Sequence, residues 1–388
     1  MASQAPTNAN RYYWIDWLRF GAAFEVLIYH VRQAQFVAFG ALDPTDRNWL
    51  VALVFSVSRL GPEAVVLFFV LSGYLVGGRS LQRWRAGAFR AGPYFLDRAT
   101  RIYTPLVPTL CLTALVMLVY GQSPQVTDFV VNLLGLQGVA GNIGVFGGNA
   151  PLWSLAYEIW FYLLWGCALL LCSNSSTRSK LFSASVVLSS FFVFTRLDVT
   201  YLFCWLVGVV AHQLGTIPQR ARAVAVAVAV ILLGVVLTQV NGGSVSVEFG
   251  QWQEAIPSKA WSTLILAAGF GLLLHCVSGW KPAAARMQWL ERLGTPLANF
   301  SYTLYLTHAV SLGFWMHFNQ VEQSKVIDAI SMLTFGLNVA VPLGVSYILY
   351  YFFERRTVEV RGWLRVRLRL PRRDSKVSVT RNGDTLTQ

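Results

Sequence analysis

The most chemically loaded stretch of this 388-residue sequence is its first apolar segment, residues 13–32, where Asp16, Arg19, Glu25, His30 and Arg32 interrupt a hydrophobic run and Asp16, Arg19 and His30 have helical spacing. Steps of three and eleven residues are about one and three helical turns, so the three side chains share one face of a helix. Asp16 and Arg19 can pair across a turn, and His30 lies roughly 16 Å further along the axis. Ionisable groups inside a membrane-length segment are costly and mark a partner or a task. This face offers a deep cation at one level and an imidazole near the far end. Imidazole is the side chain best suited to take a proton near neutral pH. The competing structural explanation is that Asp16 and Arg19 only tie helices together and that His30 caps a loop.

Three other places carry comparable chemistry. Arg98 and Arg101, with Tyr103 two residues on, stand at the start of an apolar segment. Guanidinium forks one turn apart suit a polyphosphate, since they bind phosphate bidentately and a helix start adds its own attraction. Ordinary charge placement at a membrane surface competes with this reading. Glu158, in Pro151-Leu-Trp153-Ser-Leu-Ala-Tyr-Glu158, is expected near the depth of His30, where a carboxylate would orient the imidazole and stabilise its cation. In Phe300-Ser301-Tyr302-Thr-Leu-Tyr305-Leu-Thr-His308, Ser301, Tyr305 and His308 fall on one face. With Trp153 and Tyr302 they are the candidate acceptor-binding residues, although interhelical hydrogen bonding explains such a stripe equally well, and better for Ser301. Arg59 and Glu63, four apart, read as a structural pair. His212, His275 and His317 receive no task.

These groups must be positioned by helices in lipid. The chain is 55% apolar and 13% charged, about half the charged fraction of a soluble domain. Apolar segments at 13–32, 50–78, 102–121, 151–172, 181–196, 199–214, 222–241, 259–279, 298–318 and 329–353 predict about ten transmembrane helices. The second is interrupted by Arg59, Gly61 and Pro62, and the Gly- and Asn-rich stretch 122–150 is expected to be an outer loop that dips back. With the N-terminus cytoplasmic, 24 of the 31 Lys and Arg fall in inner segments and five in outer loops, a strong positive-inside asymmetry that puts both termini inside. The net charge of +13 is therefore a matter of topology and excludes nucleic acid as its explanation. The expected organisation is a cytoplasmic tail at 1–12, a transmembrane domain at 13–354 and a basic, partly disordered cytoplasmic tail at 355–388, in which Arg361, Arg365, Arg367 and Arg369 suit an interfacial anchor on anionic lipid. The five cysteines lie in or at the ends of apolar segments without zinc-site spacing, so neither disulfides nor a metal site is expected. The first segment reads as a retained helix rather than a cleaved signal.

Six elements in order resemble the acyltransferase-3 family of integral-membrane acyltransferases. They are Trp14-Ile-Asp16-Trp-Leu-Arg19 followed by His30; Gly61-Pro-Glu-Ala-Val-Val-Leu-Phe-Phe-Val-Leu-Ser-Gly-Tyr74; Arg98-Ala-Thr-Arg101-Ile-Tyr103; Pro151 to Glu158; Ser301 to His308; and Phe353-Glu354. The resemblance covers nearly the whole chain. It implies a ten-helix core in the bacterial inner membrane, a cytoplasmic acyl-CoA donor, and transfer to a glycan or its lipid-linked precursor, or in some members to a macrolide-like small molecule. By that similarity His30 is the catalytic base, Arg19 shares its motif, and Arg98 and Arg101 serve donor binding. Trp17, Thr104 and the Arg355-Arg356 pair after Glu354 depart from the family's usual residues.

The leading expectation is an O-acyltransferase, with acetyl as the default group because it needs the least tunnel volume. The catalytic candidates are His30, Arg19, Glu158 and Asp16. His30 removes the acceptor's hydroxyl proton, Glu158 supports the imidazolium, and Arg19 holds the donor or the developing oxyanion. Direct transfer and a covalent acyl-histidine are both compatible with these residues. A transporter or flippase of a lipid-linked metabolite would also use ten spans and a broken helix, but no twofold repeat is present and the polar groups concentrate in the first half. A membrane scaffold leaves the buried ionisable groups unexplained.

Overall fold

The computed structural model describes residues 13–214, 220–241, 259–278 and 288–370. The tail expected at 1–12, the carboxy-terminal stretch from 371 and the basic loop positions 281–287 lie outside the described residues.

Among the described residues every regular element is helical: α1 (Tyr13–Gln35), α2 (Trp49–Val57), α3 (Gly61–Ser72), α4 (Arg79–Arg85), α5 (Ala91–Val119), α6 (Val126–Leu133), α7 (Leu152–Leu171), α8 (Thr177–Phe194), α9 (Thr200–Gln213), α10 (Arg220–Asn241), α11 (Lys259–Val277), α12 (Gln288–Phe318), α13 (Ala329–Phe352) and α14 (Thr357–Arg367). Six stretches are long and apolar enough to cross a membrane: Trp49–Arg85, Ala91–Val119, Leu152–Leu171, Arg220–Asn241, Lys259–Val277 and Ala329–Arg367. The other four expected spans coincide with α1, α8, α9 and α12. Of these, α9 has only 14 residues, and α1 carries Asp16, Arg19, Glu25 and Arg32 within its 23 residues. Large apolar side chains on α8, α10 and α13, such as Phe191, Leu232 and Leu333, face outward, as a lipid-solvated bundle requires.

Local chemistry sets the breaks. Asn48 caps α2 by accepting from the amides of Leu50 and Val51, both at 3.1 Å. The expected interruption of the second span falls at Ser58–Leu60, with Pro62 in the first turn of α3. Past Ser72 the helix widens into a π-helical turn, Gly73–Gly78, that packs along α9. A Cβ at Gly73 would sit inside the Trp205 carbonyl, and one at Gly208 inside that of Val70, so small residues set this close approach. Asp328 and Ser331 form a reciprocal capping box at α13, whose Ser331 amide holds the Asp328 carboxyl below its ordinary range.

α1 lies at the centre, packed along α12 and α3, while α12 also packs on α13 and on α5. One main apolar cluster runs through α1, α3, α5, α7, α9, α11 and α12, and a smaller one joins Ala23, Leu27 and Val31 of α1 to Phe300, Leu304 and Leu312 of α12. The 122–150 stretch does turn back into the protein: Phe146 is buried, and Asn149 donates to the Leu306 carbonyl at 3.0 Å. The expected surface anchor needs correction. Arg361 and Arg365 of α14 turn inward to Asp97 of α5, whereas Arg367 lies against Trp363 of its own helix. We call the end of the bundle that holds α4, the start of α5 and α14 the basic end.

Candidate active site

The polar face of α1 meets two separate groups of side chains. Towards the basic end, Arg19 has Arg101, Asp16, Glu354 and Tyr162 as its electrostatic neighbours. Arg101 projects from α5 and donates from Nη1 to Glu354 Oε1 at 2.6 Å. The second oxygen of Glu354 accepts from the Thr303 amide at 3.1 Å and the Thr303 hydroxyl at 2.5 Å. Glu354 is thus fully engaged by one cation and two α12 donors. Its side chain keeps 2% of its surface while that of Arg101 keeps 28%, so the arginine is the partner that remains reachable. The Arg101 guanidinium also lies 5.1 Å from the centre of the Tyr302 ring.

α7 closes the other side. The Tyr162 hydroxyl donates to Glu158 Oε1 at 2.5 Å and lies 2.9 Å from Ser72 Oγ, which in turn accepts from Trp205 Nε1 at 3.1 Å. Arg98 sits 5.6 Å from the centre of the Tyr162 ring. Asp16, Glu158 and Glu354 therefore stand against Arg19, Arg98 and Arg101, a balanced set in which the cations come from α1 and α5. The Tyr302 hydroxyl is buried in this layer with no hydrogen-bond partner among the described residues.

The far end of the α1 face is sparse. His30 is half-buried, its ring 5.0 Å from Tyr29 and 5.2 Å from the ring of His308. His308 is completely buried on α12, with Nδ1 3.0 Å from the Leu304 carbonyl one turn back. A carbonyl only accepts, so Nδ1 carries the proton and Nε2 has a free lone pair. That Nε2 is buried with no hydrogen-bond partner among the described residues. Next to it the Tyr305 ring lies at 6.1 Å, and the Tyr305 hydroxyl is 2.7 Å from Ser154 Oγ.

The sequence-derived candidates fare unevenly. Asp16 and Arg101 are electrostatic neighbours of Arg19, and Arg98 lies against the Tyr162 ring of the same group. Glu158 does not support His30: its hydrogen bond goes to Tyr162, because the 158 and 162 positions of α7 share a face that points at the arginines. Ser301 spends its hydroxyl on the Ala298 carbonyl of its own helix at 2.7 Å. Tyr103 packs against the main apolar cluster. Trp153 lies among Phe69, Tyr157 and Tyr201, one residue from the Ser154 that meets Tyr305. Arg59 remains an electrostatic neighbour of Glu63, but the hydrogen bonds of Glu63 come from Thr238 and Gln239 of α10. Glu354 and Tyr162 were missed as site residues. A single acid heading an arginine run, and a tyrosine one turn after Glu158, were the available signals.

A central helix with an arginine cluster at one level and a half-buried imidazole at another matches the motif order read from the sequence, and the comparison with protein families agrees: residues 12–351 match the acyltransferase-3 family, described as an acyltransferase domain. The chain belongs to the acyltransferase-3 family. No curated protein and no solved structure matches it. The match ends at residue 351, so Arg19, His30, Arg98, Arg101 and Glu158 of this acyltransferase lie within the family domain, while Glu354 and the Asp97 partners Arg361 and Arg365 lie beyond it.

Proposed function

We propose that this membrane acyltransferase moves an acyl group, most simply acetyl, from cytoplasmic acyl-CoA to a hydroxyl of a cell-surface glycan or its lipid-linked precursor. In this reading the chain crosses the bacterial inner membrane about ten times with both termini in the cytoplasm, and the basic end faces the donor. The reading is carried by one observation: Arg19 and His30 share a face of α1, about 16 Å apart, with a cation cluster around the first and an uncrowded imidazole at the second. A donor with a polyphosphate head and a slender thioester arm fits that division.

His30 takes the proton of the acceptor hydroxyl as its oxygen attacks the thioester carbonyl. The C–O bond forms, the tetrahedral oxyanion collapses, and the C–S bond breaks to release CoA thiolate, which recovers the proton. His308 replaces Glu158 as the group beside the imidazole. A neighbouring neutral imidazole with a free Nε2 can share the proton that His30 acquires, whereas a second cation there would oppose it. Arg98 and Arg101, both partly exposed, hold donor phosphate, for which guanidinium forks are suited, and Arg19 stabilises charge deeper in the passage.

The test is ester analysis of surface glycan from a strain lacking the protein, complemented with wild type or His30→Ala. Wild type should restore one missing ester, and His30→Ala, expressed at equal level, should not. Full restoration by His30→Ala would remove His30 as the base.

A further inference from the structure

Tyr162 of α7 and Tyr302 and Tyr305 of α12 all carry hydroxyls into the interior of the bundle, but only two of the three find partners. Tyr162 donates to Glu158 Oε1 at 2.5 Å, and the Tyr305 hydroxyl lies 2.7 Å from Ser154 Oγ. The Tyr302 hydroxyl is buried with no hydrogen-bond partner among the described residues. Its electrostatic neighbours are Glu158, Tyr162, Arg101 and Glu354, so acceptors are not far away. They are already engaged: Glu354 takes Arg101 on one oxygen and the Thr303 amide and hydroxyl on the other, and Glu158 Oε1 takes Tyr162. The Tyr302 ring is in use as well, with the Arg101 guanidinium 5.1 Å from its centre. A phenylalanine would keep that ring contact without burying an unmet donor, so the hydroxyl costs stability that the fold itself does not return.

The level of the hydroxyl narrows what meets it. On α12, Tyr302 stands six residues before His308, about 9 Å along the axis. It belongs with Arg101, whereas His308 faces His30. Donor phosphate at Arg98 and Arg101 and a thioester beside His30 leave the slender arm of the donor to pass this level. That arm is uncharged and carries amide groups. A buried neutral O–H offers one hydrogen bond and no charge, so it suits an amide carbonyl rather than a phosphate, whose charge would need cations in its place.

We infer that Tyr302 is a donor-binding residue whose hydroxyl donates to an amide carbonyl of the pantetheine arm of acyl-CoA, as the arm runs from the arginines towards His30. This rests on the proposed acyl-CoA reading, and it moves Tyr302 from the acceptor, where the sequence put it, to the donor. An amide carbonyl supplies the acceptor that the neighbouring side chains withhold, so binding of the arm relieves a cost that folding left in place.

The experiment uses the full chain in nanodiscs of neutral lipid and measures by calorimetry the binding of CoA and of adenosine 3′,5′-diphosphate, which has nucleotide phosphates but no arm. Tyr302→Phe keeps the ring against Arg101 and removes only the hydroxyl. It should bind CoA about 3- to 10-fold more weakly, the scale of one net hydrogen bond, bind the diphosphate as wild type does, and melt no lower than wild type. Tyr157→Phe removes a hydroxyl that does have a partner, the Asp198 amide at 3.0 Å. It should show the opposite pattern, a lower melting temperature with CoA binding intact. Equal CoA binding by wild type and Tyr302→Phe overturns the assignment. An equal loss for CoA and the diphosphate puts the effect at the phosphates, through Arg101, and overturns it too. So does a lower melting temperature for Tyr302→Phe, because the hydroxyl would then have a partner within the fold. If wild type binds neither CoA nor the diphosphate, the acyl-CoA reading fails and the role of Tyr302 fails with it, whereas the other outcomes leave that reading standing.

Discussion

Around Arg19 the charges interlock, with Arg101 tied to Glu354, Glu354 to Thr303 and Glu158 to Tyr162, whereas around His30 the facing ring is another imidazole with a free nitrogen. Both groups sit on the same helix, so the contrast is one of use. An ion cluster in lipid must be nearly complete before anything binds, because an unpartnered charge there is very costly. A general base works only if it is left basic and open to the group whose proton it takes. Stability accumulates at the first site, and reactivity is left at the second.

The largest effect that would sharpen this contrast is at His30. His30→Ala should lower ester transfer about a thousandfold, within the range for loss of a general base, with no loss of thermal stability. A variant that instead unfolds would make the far end a structural site. Glu354→Ala should do the opposite, lowering stability by about 3 kcal/mol because it strands Arg101 beside Arg19; thermal melting in detergent checks it, and Glu354→Gln should recover part of the loss through Thr303. Next come two changes of about tenfold each that separate in kinetics. Arg101→Lys, which loses the planar fork and the contact with Tyr302, should raise KM for the donor with kcat nearly kept. His308→Gln should lower kcat and leave donor KM alone. Steady-state kinetics with varied donor distinguishes them, and the reverse pattern would break the division between the two ends. The smallest effect is expected at Ser301→Ala, within about 0.5 kcal/mol and without effect on transfer, since its hydroxyl serves only its own helix.

How much of this was legible beforehand depends on the range of the interaction. Each expected span overlaps helical structure, and six helical stretches among the described residues are long and apolar enough to cross a membrane, because apolar length is a local property that needs no knowledge of neighbours. The break at Ser58–Leu60 was equally readable from Arg59, Gly61 and Pro62. The extent of each helix was less so: α5 begins at Ala91, eleven residues before the expected span, since its first turns lie outside the apolar run. Glu158 shows the limit most clearly. Topology put it at a plausible depth for His30, but depth does not fix the direction of a side chain, and Tyr162 on its own helix claimed it.

The sequence by itself determined that Asp16, Arg19 and His30 lie along one face of a helix at fixed spacing, and that Arg98 and Arg101 stand near the start of another, because a 3.6-residue period and hydropathy act within a few turns. Only the tertiary structure decided which partner each received. Arg101 meets Glu354 across 253 positions of chain, His30 meets His308 from a helix near the opposite end of the sequence, and Asp97 gathers two arginines from α14. Those pairings follow from how α1, α5 and α12 pack together, a global compromise of close packing that no local pattern encodes.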